Sequence, residues 1–277
     1  MEIYDFSYLV ESKIKKNMRI SLAIGVFEAF HKGHQAIIKA VLDEKEKRQG
    51  SESMVVTFSI NPKPGRNGAI DTLRLREENL ALYGIDCIAT IDFSAQFSRI
   101  SASRFLEMIL SSMDLNAIAV GEDFQFGNPS ESASAYDLVP MLDRFGSRAK
   151  VDIVAPILTE GGDKISSTLL RRMIKEGELE EFPKLSGRYY ALDMLKSPCI
   201  FEDMYLVYRT EDVHQLLPPQ GAYDSVLILE KKDRIEAVAS IEDSTIKIKA
   251  KGYVPLTFRN AIDPMFKAEK LLLERRK

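Results

Sequence analysis

Two of the three histidines in this chain stand three residues apart in Gly25-Val26-Phe27-Glu28-Ala29-Phe30-His31-Lys32-Gly33-His34. What such a pair can do depends on the elements that flank it. Upstream, Ile20-Ser21-Leu22-Ala23-Ile24 is nearly all apolar and ends at Gly25, as a parallel strand buried on both faces would. Downstream, Ile37, Ile38, Val41 and Leu42 recur with a helical period, and Gln35, Lys39, Asp43 and Glu46 take the other face. The histidines therefore fall at a strand-to-helix turn, where backbone N–H groups and the helix dipole favour a phosphate. Gly33 lets such a ligand approach closely. A purely structural use of the same residues is also open, with His31 capping the turn and His34 packed in the first helical turn.

A second constellation is Ile165-Ser166-Ser167-Thr168-Leu169-Leu170-Arg171-Arg172. Leu169, Leu170, Met173 and Ile174 form one helical face, leaving Thr168, Arg171, Arg172 and Lys175 on another. Hydroxyls at a helix start with guanidinium one turn later suit a polyphosphate, because arginine binds phosphate through a rigid, permanently charged fork. The plain reading is a serine cap followed by a solvated basic face. A third is Val120-Gly121-Glu122-Asp123-Phe124-Gln125-Phe126-Gly127. Its aromatics could line a planar ligand, with carboxylates beside them for hydrogen bonds or Mg²⁺, or could anchor the loop in the core. Thr57-Phe58-Ser59-Ile60-Asn61-Pro62 also ends a strand, and turns at proline.

To bring these segments to one place, the chain needs a parallel sheet with helices on both faces, whose ligands bind beyond the strand carboxyl ends. Candidate strands are 20–26, 54–58, 87–91, 117–121 and 151–155; candidate helices are 34–48, 72–83, 101–113, 135–145 and 168–176. Ser101 can cap one helix start and Gly177 one helix end. After Gly187 the texture changes to short strands at 226–229, 236–241 and 245–251, with turns at 218–221 and 243–244 and a terminal helix over 266–276.

With 277 residues, a hydrophobic fraction of 45% and a charged fraction of 29%, the chain is an ordinary globular protein with room for two domains. A formal charge of -3 gives no electrostatic reason to expect nucleic acid, so small molecules are the expected partners. Cys87 and Cys199 show no metal-ligand spacing, and no apolar run approaches the roughly 20 residues that span a bilayer. No membrane association is expected, and a reducing cytoplasm is the expected compartment. The oligomeric state is left open.

In combination, the segments GVFEAFHKGH, TFSINP, VGEDFQFG, ISSTLLRRMIKEGELEE and GRYY resemble the bacterial bifunctional riboflavin kinase/FAD synthetase family, over residues 20 to about 190. The resemblance implies an α/β fold. A Rossmann-like nucleotidyltransferase domain with a parallel sheet would occupy 1–185, and a small β-rich, shortened-barrel domain ending in a helix would occupy 186–277. It implies transfer of AMP from ATP to FMN with Mg²⁺, giving FAD and pyrophosphate. His31, His34 and Arg171 would be catalytic, and Gly25, Phe27, Gly33, Ser166, Ser167 and Thr168 would bind ATP. Phe58, Asn61, Asp123 and Gln125 would bind FMN, and no residue is assigned as a metal ligand.

Glu28 and Ala29 replace the family's aspartate and glycine, and Asn61 and Gln125 stand where it usually has histidine and arginine. The Pro-Thr-Ala-Asn segment of the kinase barrel is absent between Gly187 and Lys277, so kinase activity is expected to be lost. Two other readings remain open: nucleotidyl transfer to a different phosphorylated acceptor, and nucleotide or flavin binding without turnover.

Overall fold

The alternation of side chains along the predicted strands puts apolar residues on both faces of a sheet, and the computed structural model shows the two cores that result. It describes residues 1–61, 68–230, 233–251 and 268–276. The chain divides into two units, one of Met1–Pro64 with Arg76–Lys164 and one of Gly65–Leu75 with Ile165–Lys277.

The first unit is built from β1 (Glu2–Asp5), α1 (Phe6–Ser12), β2 (Arg19–Ile24), α2 (Lys32–Glu46), β3 (Ser51–Phe58), the greater part of α3 (Leu73–Leu82), β4 (Cys87–Ile91), α4 (Ala102–Ser112), β5 (Asp114–Gly121), the short pair β6 (Gln125–Phe126) and β7 (Ala133–Ser134), α5 (Leu138–Arg144) and β8 (Lys150–Val154). Its main sheet runs β1-β4-β3-β2-β5-β8, and every pairing is parallel. Leu22, Ile24, Met54, Val56, Ile118 and Val120 pack on one face with Phe6 and Leu9 of α1, Phe105 and Ile109 of α4 and Leu138 of α5. Ala23, Val55, Ile88 and Ala119 pack on the other with Ile38 and Val41 of α2 and Leu80 of α3. The five strands read from sequence are present. The exposed edge strand β1 and the short helix α1 are additional, because neither has the apolar run that marks a buried element.

After β2 the chain builds outward through β3 and β4, then returns to place β5 on the other side of β2. The order of strands thus reverses between β2 and β5, and a crevice opens at their carboxyl ends in such sheets. The turn after β2 leads to His31 and His34 at the start of α2, and the loop after β5 holds Asp123.

The second unit contains α6 (Ser167–Glu176), α7 (Phe182–Ser186) and an antiparallel sheet of β9 (Tyr190–Asp193), β10 (Cys199–Glu202), β11 (Tyr205–Arg209), β12 (Gly221–Leu229), β13 (Arg234–Ile241), β14 (Thr245–Ala250) and β15 (Ala268–Arg276). The order β10-β11-β14-β13-β12-β15-β9 makes an open, curled half-barrel. The expected terminal helix is a strand: β15 lies between β12 and β9 and pairs with both. The helix-favouring Ala, Glu, Lys and Leu of this segment are overridden by that pairing, and Leu271 and Leu273 are buried with Leu272 between them only partly so, the period of a strand. Pro62 and Phe266 of the sequence reading lie outside the described residues.

Segment 68–75 is built into this second unit. Ala69 bridges Gln215, and the Leu216 N–H donates to Ala69 O at 2.8 Å. Asp71 pairs with Arg188, and Arg74 grips Asp193 through Nε and Nη2 while its Nη1 reaches Glu269 at 3.1 Å.

Candidate active site

The turn after β2 is unusual in its backbone. Phe27, Ala29 and Phe30 have φ of 53°, 69° and 41°, three left-handed residues among four, none of them glycine. Each such conformation costs an L-residue about 1–2 kcal/mol, and strain of this kind persists only where the surroundings over-determine it. Here Phe27, Ala29 and Phe30 are fully buried, Gln35 Nε2 donates to Phe30 O at 2.9 Å, and Asn61 Nδ2 donates to the buried Glu28 carboxylate at 3.0 Å. Gly25 packs closely beside them: a Cβ there would stand 3.2 Å from the Phe27 ring.

The turn delivers the histidines to the start of α2. His31 is the N-cap, and its Nδ1 accepts from the His34 N–H at 3.3 Å, which places the neutral ring's proton on Nε2. The two rings stack with centroids 3.7 Å apart and planes at 20°, and Phe27 meets His34 edge-on at 5.3 Å. His34 Nδ1 is buried and has no hydrogen-bond partner among the described residues. Burial, and secondarily the Lys164 charge, lower the His31 pKa to about 4 against an opposing pull from Asp123. Burial, then His31 and then Lys164, hold His34 well below the ordinary histidine value. Both rings are therefore neutral at pH 7, stacked at the positive end of a helix. An anion placed there supplies the opposite charge that would draw protons onto them.

One consequence is a pH dependence of stability. Between pH 6.5 and about 4 the unfolded chain binds a proton at His31 that the folded chain does not, so stability rises with pH through that window and is complete above it. Urea unfolding at pH 5 and pH 7 should show wild type losing about 2 kcal/mol more than His31→Asn on acidification. Asparagine keeps the cap and removes the titration. Equal losses in the two proteins would contradict it.

Gly33 is the second residue of α2, on the side of the turn where the first N–H groups point outward. Across the switch point, Asp123 follows the end of β5 and pairs with Lys164 at 2.7 Å. Lys164 was not assigned from sequence; a lone lysine in a polar loop carries no pattern that marks it. Phe58 meets Phe93 and Phe97 at ring distances of 5.7 and 6.3 Å, and Gln125 sits exposed in the β6–β7 ribbon. Phe124 and Phe126 stack at 5.3 Å and pack against the core, so they anchor their loop.

The remaining assigned residues stand at the start of α6, in the second unit. Ser166 is the N-cap and accepts from the Leu169 N–H at 3.2 Å; Ser167 and Thr168 begin the helix, and Gly177 ends it with φ of 79°. Arg171, one turn on, donates through Nη1 to Gly68 O at 2.7 Å, which orients its guanidinium.

A six-stranded parallel sheet covered by helices, with a glycine-led turn and a histidine pair at a helix start where the strand order reverses, makes the first unit a Rossmann-like α/β domain. The FAD synthetase family model matches residues 13–169, and the chain belongs to that family. It is 33% identical over 175 residues to a bifunctional riboflavin kinase/FMN adenylyltransferase of Listeria monocytogenes, covering 61% of this chain and 54% of that protein. The Escherichia coli protein of the same name is 31% identical over 180 residues, covering 62% and 55%. The chain thus spans about half the length of these two relatives. A Listeria monocytogenes FAD synthetase is 25% identical over 192 residues, covering 66% of this chain and 74% of that protein. In fold, the chain is similar to a crystal structure described as a macrolide-efflux protein from Streptococcus pneumoniae, with a TM-score of 0.76 and 22% identity over 95% of this chain and 90% of that one. Among the described residues no helix is long and apolar enough to cross a membrane.

Proposed function

We propose that the protein is an FMN adenylyltransferase, and the observation that carries this is the stacked His31–His34 pair at the start of α2, beside the switch point of the sheet. An oxygen of the FMN phosphate attacks the α-phosphorus of ATP, the bond from that phosphorus to the bridging oxygen breaks, and pyrophosphate leaves. The attacking phosphate is already ionised near neutral pH, so no strong base is required. Imidazole N–H donors and the α2 amino end stabilise the charge that builds on the transferring group. By family likeness Ser166, Ser167, Thr168 and Arg171 hold the leaving phosphates, Gly25, Phe27 and Gly33 shape the ATP side, and Phe58, Asn61, Asp123 and Gln125 serve the acceptor.

Mg²⁺ enters as the counter-ion of ATP. Among the described residues the one group of three potential ligands, Glu2, Glu52 and Cys87, is held by Lys15 at 2.8 and 2.7 Å from the two carboxylates, so it offers no fit to the ion. Mg²⁺ normally keeps water and substrate phosphate as most of its shell.

We assign residues 1–185 to the transferase and 186–277 to a shortened, kinase-like β domain without kinase activity. The missing Pro-Thr-Ala-Asn segment supports this. Purified protein with ATP, Mg²⁺ and FMN should yield FAD and pyrophosphate, while riboflavin and ATP should yield no FMN. Appearance of FMN would overturn the second assignment.

A second reading, transfer to another phosphorylated acceptor, is favoured by one contact. Asn61, which departs from the family pattern on the acceptor side, donates to the carboxylate of Glu28, which departs from it in the turn after β2, so the acceptor loop is held by a contact between two altered positions. Pyrophosphate released with a different acceptor and not with FMN would decide for it.

A further inference from the structure

The geometry points to Arg76 as a positioning residue that fastens the turn after β2 to the loop after β3, and so sets the ATP side and the acceptor side of the site against each other. This rests on the adenylyltransferase reading for its kinetic part and on the hydrogen bonds of Arg76 for its structural part.

Arg76 lies on α3, is 3% exposed, and carries its charge into the region where two parallel strands end. Its Nη1 donates to Val26 O at 2.9 Å, to Phe58 O at 2.8 Å and to Thr57 Oγ1 at 3.2 Å, and its Nη2 donates to Ser59 O at 2.9 Å. Thr57 Oγ1 itself donates to Val26 O at 3.1 Å. These oxygens belong to Val26 just past β2, to the last two residues of β3 and to Ser59 just past it, where the strand ladder ends and carbonyls must be satisfied otherwise. One guanidinium can serve several of them at fixed angles because its donors are coplanar and rigidly forked; an ammonium has three donors around one atom and cannot span the same set. Burying a cation is expensive, so a side chain placed this way is held by what it joins.

What it joins is the site. Val26 immediately precedes the left-handed run Phe27, Ala29, Phe30 that delivers His31 to the start of α2. Phe58 and Ser59 open the segment that ends in Asn61, which returns to Glu28 in the middle of that same run. The turn and the loop are thus tied at two points, through Arg76 at the base and through Asn61 further out. Loss of the base contact leaves the strained turn free to relax, and moves the histidines and the acceptor loop together.

The test compares wild type with Arg76→Lys, which keeps the charge, and Thr57→Val, which leaves Arg76 in place and removes the hydroxyl bridge. Hydrogen exchange on the full chain without substrates reads the structure. Amides of Gly25–Lys32 and Ser59–Ile60 should exchange at least about tenfold faster in Arg76→Lys, and faster by a smaller factor in Thr57→Val, with the second unit unchanged. Steady-state kinetics should show KM raised for ATP and FMN alike. Wild-type exchange in both segments, with wild-type KM for both substrates, would overturn the proposal. If Arg76→Lys does not fold, Thr57→Val decides by the same measurement. If wild type makes no FAD, the adenylyltransferase reading has failed, and the exchange rates still decide for or against Arg76.

Discussion

Substituting leucine for His34 should lower the rate of FAD and pyrophosphate formation by about two to three orders of magnitude while leaving the fold as stable as wild type or more so. The two halves of that expectation have one cause. His34 Nδ1 is buried without a hydrogen-bond partner among the described residues, so its removal breaks no bond within the protein and relieves a desolvated polar atom. Leucine replaces the apolar contact with Phe27. A residue kept for stability shows the opposite signature. His31→Asn is the companion: asparagine can still accept from the His34 N–H and cap α2, yet it removes the imidazole, so the rate should fall with little change in melting temperature. Rates within tenfold of wild type in both variants would refute the placement of the phosphates over this pair.

The other large effect should come from Gly127→Ala, with a loss of roughly 3 kcal/mol or more in unfolding free energy. Gly127 has φ of +89°, and a Cβ there would stand 2.5 Å from Ala102 N and 2.8 Å from Glu131 O. Both are backbone atoms, so neither can swing aside, and the Ala102 N–H donates to that same Glu131 O at 3.1 Å. The left-handed conformation and the clash add, each costing about 1–3 kcal/mol. Because Ala102 opens α4, whose Phe105 and Ile109 fill the core, the damage should reach the whole first unit. Chemical denaturation measures this directly, and a change under about 1 kcal/mol would show that the loop can yield.

Much of the site could be seen in the chain because its supports are periodic. The apolar run ending at Gly25 and the amphipathic residues from Ile37 onward leave a short interval for the turn, and His31 and His34 had to lie in it. Ser101, Ser166 and Gly177 cap helices as their types suggest. Other features leave no such trace. Left-handed φ at Phe27 and Phe30 is imposed by tertiary packing on residues that do not prefer it, whereas at Ala29 the glycine of the family pattern already points to such a backbone. Arg76 stands among the charged residues of a helix pattern and reads as solvated until α3 is placed on the sheet. β15 carries a leucine triplet flanked by charges, a pattern too short to separate strand from helix, and only its two partners decide it.

The excursion of residues 68–75 bears on how the molecule can be divided. Asp71, Thr72 and Arg74 find their partners in Arg188, Asp193 and Glu269, more than a hundred positions later. No single scission yields the half-barrel intact: a fragment beginning at Ile165 lacks this inserted piece, and one ending at Lys184 retains it with those acceptors and donors gone. Supplying the piece in trans as a peptide to the fragment beginning at Ile165 is the route to an autonomous half-barrel.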